Sequence, residues 1–155
     1  MKKFILILIA SVTVALSANA QPRSVGARLG SSLEVSYQHL MGTSNFLEVD
    51  AGLSGYGHGI QASAQYNWLF DIPIKKGDMN WYAGIGAGVG TGWGYYNGVS
   101  LGVVPQIGLE YIFANTPLQL SFDYRPNIGV VLNSYGAYYN RHEAYNFALS
   151  VRYVF

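Results

Sequence analysis

Chemistry in this chain has to come from three histidines and eight carboxylates, because the 155 residues include no cysteine. His58 and the pair His142-Glu143, with Ser134 close by, are the residue types that general-base and nucleophilic catalysis use. No His-x-Ser spacing joins them, His39 stands far off in the chain, and single histidines in polar stretches are usually solvated surface groups. An enzyme is therefore not expected. The carboxylates and histidines form no clustered metal-ligand spacing, and the glycines from Gly84 to Gly92 alternate along a strand instead of opening a helix, so neither a metal nor another cofactor is expected. What the charges do share is a phase. Arg28, Glu34, Glu48, Asp50, Glu110, Asp123, Arg125 and Arg152 all occupy the parity opposite to the Leu, Val, Ile and aromatic positions around them. Opposite charges on one enclosed face pair with one another, since a buried unpaired charge is strongly disfavoured.

The elements that carry them read as strands. From Tyr145 to Phe155 the chain alternates without a break, with Tyr145, Phe147, Leu149, Val151, Tyr153 and Phe155 on one face. The same period-two reading gives eight segments: 24 to 30, 32 to 41, 46 to 54, 58 to 69, 80 to 93, 100 to 113, 118 to 131 and 145 to 155. About ten residues is the length a tilted transmembrane strand needs. An even count leaves both ends on one side, with connections 42 to 45, 70 to 79 and 114 to 117 there. Connections 31, 55 to 57, 94 to 99 and 132 to 144 are then on the other side, and only the last is long. The remaining charges, Arg23, Asp71, Lys75, Lys76, Asp78, Arg141 and Glu143, are assigned to termini and connections, so no charge is left on the apolar face.

The first residues supply a compartment. Lys2 and Lys3 precede an apolar run from Phe4 to Leu16, and Ser17-Ala18-Asn19-Ala20 offers a small-x-small cleavage site before Gln21. The reading is a cleaved secretory leader over residues 1–20 and a single barrel domain over 21–155, with no lipoprotein cysteine. Removing Lys2 and Lys3 leaves seven basic groups against eight acidic ones, which gives no electrostatic case for nucleic acid. Nineteen glycines, thirteen tyrosines and only 11% charged residues suit a barrel better than a soluble domain. Trp68, Phe70, Trp81, Tyr111, Phe113, Tyr153 and Phe155 gather at one rim, and Tyr56, Trp93, Tyr95 and Tyr96 at the other, as amphipathic rings do at membrane interfaces.

Four stretches carry a family likeness: Val25-Gly26-Ala27-Arg28-Leu29-Gly30, Asn80-Trp81-Tyr82-Ala83-Gly84, Gly108-Leu109-Glu110-Tyr111 and Arg152-Tyr153-Val154-Phe155. With them the chain resembles the small eight-stranded outer-membrane barrels of the OmpX and OmpA-barrel type, over its whole mature length. The resemblance implies an all-β, eight-stranded antiparallel up-and-down transmembrane barrel with short turns, integral to a Gram-negative bacterial outer membrane. It also implies outer-membrane lipids as surroundings and a barrel-assembly machinery that reads Tyr153 and Phe155 as its signal. The long protruding outer strands of OmpX are missing, which tells against an adhesin-like role. No His-x-Ser arrangement like that of the lipid A deacylases is present, and no surface ligand can be named.

Eight strands enclose only enough room for side chains or one small ligand. The inward charges, with Gln38, Gln61, Gln65, Gln106 and Gln119, therefore predict a lumen plugged by a salt-bridge and amide network, in a non-catalytic protein of outer-membrane structure or surface interaction. One region suggests an alternative. The register that sets Gln106 opposite Arg125 also sets Pro105 opposite Pro126, and proline cannot donate to a ladder. If that pair falls at a mutually bonded position, a lateral gap opens there; otherwise the missing donors point at the neighbouring strands. The small inward residues nearby, Gly86, Gly88, Gly90, Gly92, Gly102, Val104 and Gly129, either make room for a pocket or accept side chains from the far wall. A lipid-binding or lipid-modifying barrel with lateral access at Pro105/Pro126 is the alternative function.

Overall fold

The computed structural model describes residues 21–54, 58–92, 98–133, 136–139 and 145–155, and their regular structure is entirely β. Residues 1–20, the expected leader, the aromatic residues Tyr56, Trp93, Tyr95 and Tyr96, and Ser134, Tyr135, Arg141, His142 and Glu143 lie outside the described residues. Ten strands follow in order: β1 Gln21–Gly30, β2 Ser32–Leu40, β3 Asn45–Ser54, β4 Gly59–Ile72, β5 Asp78–Gly92, β6 Gly98–Ile112, β7 Leu118–Tyr124, β8 Ile128–Asn133, β9 Gly136–Tyr139 and β10 Phe147–Val154. From β1 to β7 each strand pairs antiparallel with the next, and β10 pairs with both β1 and β7, so the sheet returns on itself. β7 and β8 are two lengths of one stave, both lying against β6. The result is a closed barrel of eight antiparallel staves. Closure removes the unpaired edges that an open sheet of this length would expose.

The alternation in the sequence sets which side chains face in. On β10, Ala148, Ser150 and Arg152 are buried while Phe147, Leu149, Val151 and Tyr153 are exposed. Across the described residues the arrangement is the reverse of a soluble core. The buried hydrophobic side chains are Phe46, Tyr82, Val104, Val131 and Ala148, whereas Arg28, Glu48, Asp50, Gln65, Gln119, Asp123 and Arg152 are among a much longer set of buried polar ones. Leu, Ile, Val and aromatic residues such as Leu33, Val35, Ile85, Leu101, Ile107 and Leu149 occupy the outside. The end where β1 begins and β10 finishes is the lower rim. There Phe70 stacks on Trp81 at 4.1 Å, and Tyr66–Trp68, Tyr111–Phe113 and Tyr153–Phe155 pack edge-on.

Several boundaries differ from the sequence reading, each for a local reason. β4 runs to Ile72 and β5 starts at Asp78, so the turn is confined to 73–77, where Gly77 takes φ 76°, a left-handed conformation that favours glycine. The predicted strand 118–131 is interrupted at 125–127, around Pro126. The predicted loop 132–144 is not all loop: β8 reaches Asn133, and Gly136–Tyr139 folds back as β9 on Val130–Asn133. β1 reaches back to Gln21 with a register shift between Pro22 and Ser24. That bulge sets Arg23 and Ser24 both on the buried side, which corrects the placement of Arg23 at an outlying terminus.

Candidate functional site

The interior network is built by the inward faces of nearly every stave. Arg28 on β1 forks to Asp123 on β7, with Nη2–Oδ1 at 2.6 Å, and also reaches Glu34 on β2 at 3.2 Å and Asn146 Oδ1 at 3.3 Å. Arg152 on β10 donates to Ser36 Oγ at 2.9 Å, Ser121 Oγ at 2.6 Å and Glu48 at 2.8 Å. Arg125, just above β7, reaches across the lumen to Glu34 and Asp50, with Glu48 at 3.9 Å. Arg23 pairs with Glu110 and lies 4.7 Å over the Phe46 ring. Each of the five interior carboxylates thus meets at least one guanidinium, and all these groups are almost fully withdrawn from solvent. The planar, always-charged guanidinium suits this role because its several donors serve two or three carboxylates at once.

Amides link the ion pairs. Gln38 accepts from Arg23, Ser24 and Gln119 at 2.8, 2.9 and 3.1 Å and donates to Glu48 at 2.9 Å. Gln119 donates to Glu110 at 2.7 Å, and Asn67 to Gln106 at 3.2 Å. Below them Phe46 and Tyr82 meet edge to face, ring centroids 5.5 Å apart. A side chain on Gly108 would run into the Tyr82 ring, so glycine is needed there for the close approach. The eight charged residues singled out in the sequence are therefore brought together. Arg23, Phe46 and Tyr82 join them without having been singled out. The phase of Phe46 and Tyr82 was readable from alternation, whereas the bulge hid that of Arg23.

The upper part of the lumen is different. Glycines and small residues line it, and a void of about 20 Å³ remains among Gln61, Ser63, Gly88, Val104, Arg125 and Asn127, room for about one water. On the outward side Ala51, Leu53, Ile60, Ala62, Val89 and Val99 line an apolar concavity of about 570 Å³, which offers contact area and no reactive group.

The wall itself changes between β6 and the seventh stave. Pairs run from Ile112–Gln119 up to Ile107–Tyr124, stop, and resume in the same register at Val103–Ile128. The phase of the bonding is fixed at the bottom, where Phe113 N–H donates to Leu118 C=O at 3.0 Å. Antiparallel bonded pairs recur every second residue, so Pro105 and Pro126 face each other where a ladder would exchange two bonds. The other edge agrees: Arg125 N–H points away, to Asn146 C=O at 2.8 Å. Neither proline has an N–H, so both carbonyls lack their ladder donors. Some four residues of seam, about 13 Å at the rise of a strand, carry no ladder bond.

The remaining candidates are scattered. His39 is buried on the outward side at the lower end, with its Nδ1 3.0 Å from Tyr37 Oη. His58 is exposed at the foot of β4's upper end. Tyr153 and Phe155 are exposed at the lower rim, and Phe155 N–H bonds Arg23 C=O at 3.2 Å. Among the described residues no group of three or more His, Asp or Glu is placed to hold a metal ion. No family model matches the chain, and no curated protein and no solved structure matches it.

Proposed function

We propose that this chain is an integral outer-membrane barrel of the small OmpX and OmpA-barrel kind, non-catalytic, with a lumen plugged by its own side chains and a role in outer-membrane structure or surface interaction. One observation carries the reading: the barrel is inside out, with buried charges and amides within and exposed Leu, Val, Ile and aromatic rows without. In water that outer surface would be an apolar patch far beyond what monomers tolerate; in a bilayer it is the favourable solvent-facing surface. The aromatic pairs of the lower rim sit where an interface girdle belongs. Each interior carboxylate is paired with an arginine, which favours a structural plug over acid–base work.

Neighbouring residues at equal depth test this. Leu101 faces out and Ser100 faces in on β6, so Leu101→Lys exposes a cation to lipid at a cost on the order of 2 kcal/mol. The expected result is a lower folding yield into lipid vesicles for Leu101→Lys than for Ser100→Lys, read from the gel shift between heated and unheated samples. Equal yields would remove the reading. A second reading, a barrel that binds lipid through its wall, is favoured by the interrupted seam at Pro105 and Pro126.

A further inference from the structure

The interrupted seam has a chemistry that selects an occupant. The carbonyls of Pro105 and Pro126 are directed at each other across it, both acceptors and both without a ladder donor. Inside a bilayer an unmatched carbonyl costs several kcal/mol, and no bulk water is at hand to repay it. Whatever fills the seam must therefore bring hydrogen-bond donors.

Its charge is constrained as well. The cation immediately behind the seam is Arg125, and it is already engaged by Glu34, Asp50 and Glu48. Among the described residues nothing there is left to attract a phosphate or a carboxylate, so the donor belongs to a neutral group, a hydroxyl or an amide. On the outward side, beside Pro126, Phe122, Tyr124 and Phe147 form one aromatic cluster, with Tyr124–Phe147 centroids at 4.6 Å and Phe122–Phe147 at 6.1 Å. Val103, Ile107 and Ile128 complete the apolar frame, each about half exposed. Polar acceptors set in a hydrocarbon-contacting, ring-lined surface match a fatty chain that carries a donor on or beside it.

We propose that the Pro105/Pro126 seam is a lateral binding site for a lipid acyl chain bearing a hydroxyl or an amide N–H. The donors bridge the two proline carbonyls, and the chain lies along Phe122, Tyr124 and Phe147. The site rests on the membrane reading above. It deepens the lipid-binding alternative by naming the chemical class and the contacts.

The test uses the mature barrel in phosphatidylcholine nanodiscs, with amide chemical shifts followed during titration. One probe is 3-hydroxytetradecanamide and the other methyl tetradecanoate, which has the chain but no donor. Incorporation into discs, read from the gel shift before any probe is added, reports the membrane reading separately from the site. The expected result is saturable shifts at Val103, Ile107, Tyr124 and Ile128 with the hydroxyamide, at an apparent Kd at least tenfold below that for the ester. The double variant Pro105→Ala/Pro126→Ala supplies the two missing N–H groups and should abolish that preference while keeping the gel shift of a folded barrel. Equal response to both probes, shifts elsewhere but not at the seam, or a preference that survives in the double variant would each overturn the proposal.

Discussion

Two seams of this barrel are built on opposite principles. Where the first and last strands meet, β1 and β10 pair without interruption from Ser24–Val154 to Gly30–Ala148. Where neighbours in sequence meet, β6 and the seventh stave pair, lose their ladder at two facing prolines and pair again. The long-range closure is thus continuous and the local hairpin is not, so proximity in sequence does not decide where the wall is strongest. Backbone bonds carry the first seam. At the second, Arg125 reaches past its neighbours to Glu34 and Asp50 on β2 and β3, and ion pairs across the lumen hold a stave that the ladder holds only in part.

Arg125→Met breaks that comparison most forcefully. Removing one partner of a buried ion pair costs about 3–5 kcal/mol, because Asp50 is left without its arginine and Glu34 keeps only Arg28 at 3.2 Å. The urea midpoint of the refolded barrel should fall accordingly. Amides at the proline seam, those of Val103, Ile107, Tyr124 and Ile128, should then exchange faster relative to those of Val25, Ala27, Val151 and Tyr153. Uniform loosening of both seams would show that Arg125 braces the whole barrel and not one side of it.

A smaller loss is expected from Gly26→Ala in the intact seam. An added Cβ at Gly26 would meet the Val151 carbonyl oxygen and the Arg152 backbone, so β1 and β10 must move apart. Overpacking of this kind costs about 1–3 kcal/mol. Faster amide exchange at Ala27 and Val151, with the proline seam little changed, is the expected signature in the same urea and exchange experiments.

Smallest is the difference already present in the unmodified protein. Amides flanking the proline pair should exchange roughly five- to tenfold faster than their counterparts between β1 and β10, about the net worth of one hydrogen bond. Matching rates would mean that the missing ladder bonds are replaced in full by other partners.

Much of this was legible in the sequence because alternation is a strong signal when one face must be polar and the other apolar. It gave the staves, the inward phase of Glu48 or Arg152, and the opposition of Pro105 to Pro126. Which bonding phase the prolines occupy was not legible, since alternation fixes faces and not the direction of N–H groups; the Phe113–Leu118 bond decides it. Arg23 was missed because a bulge between Pro22 and Ser24 breaks the parity on which the reading depended. β9 was missed because Gly136–Tyr139 is too short for a period of two to stand out, and its pairing with β8 is a property of the folded hairpin.

On the proposed reading, the apolar outside of this barrel meets lipid while its polar inside is packed with side chains. The absence of cysteine makes single-cysteine labelling clean. A spin-label scan along β6, from Ser100 to Leu109 in lipid vesicles, measures collision with lipid-dissolved oxygen at each position. The expected profile has a period of two, with Leu101, Val103, Ile107 and Leu109 oxygen-accessible and Ser100, Val104 and Gln106 shielded; accessibility of the odd positions to a water-soluble relaxation agent instead, with no response to oxygen in lipid, would overturn the lipid-facing reading.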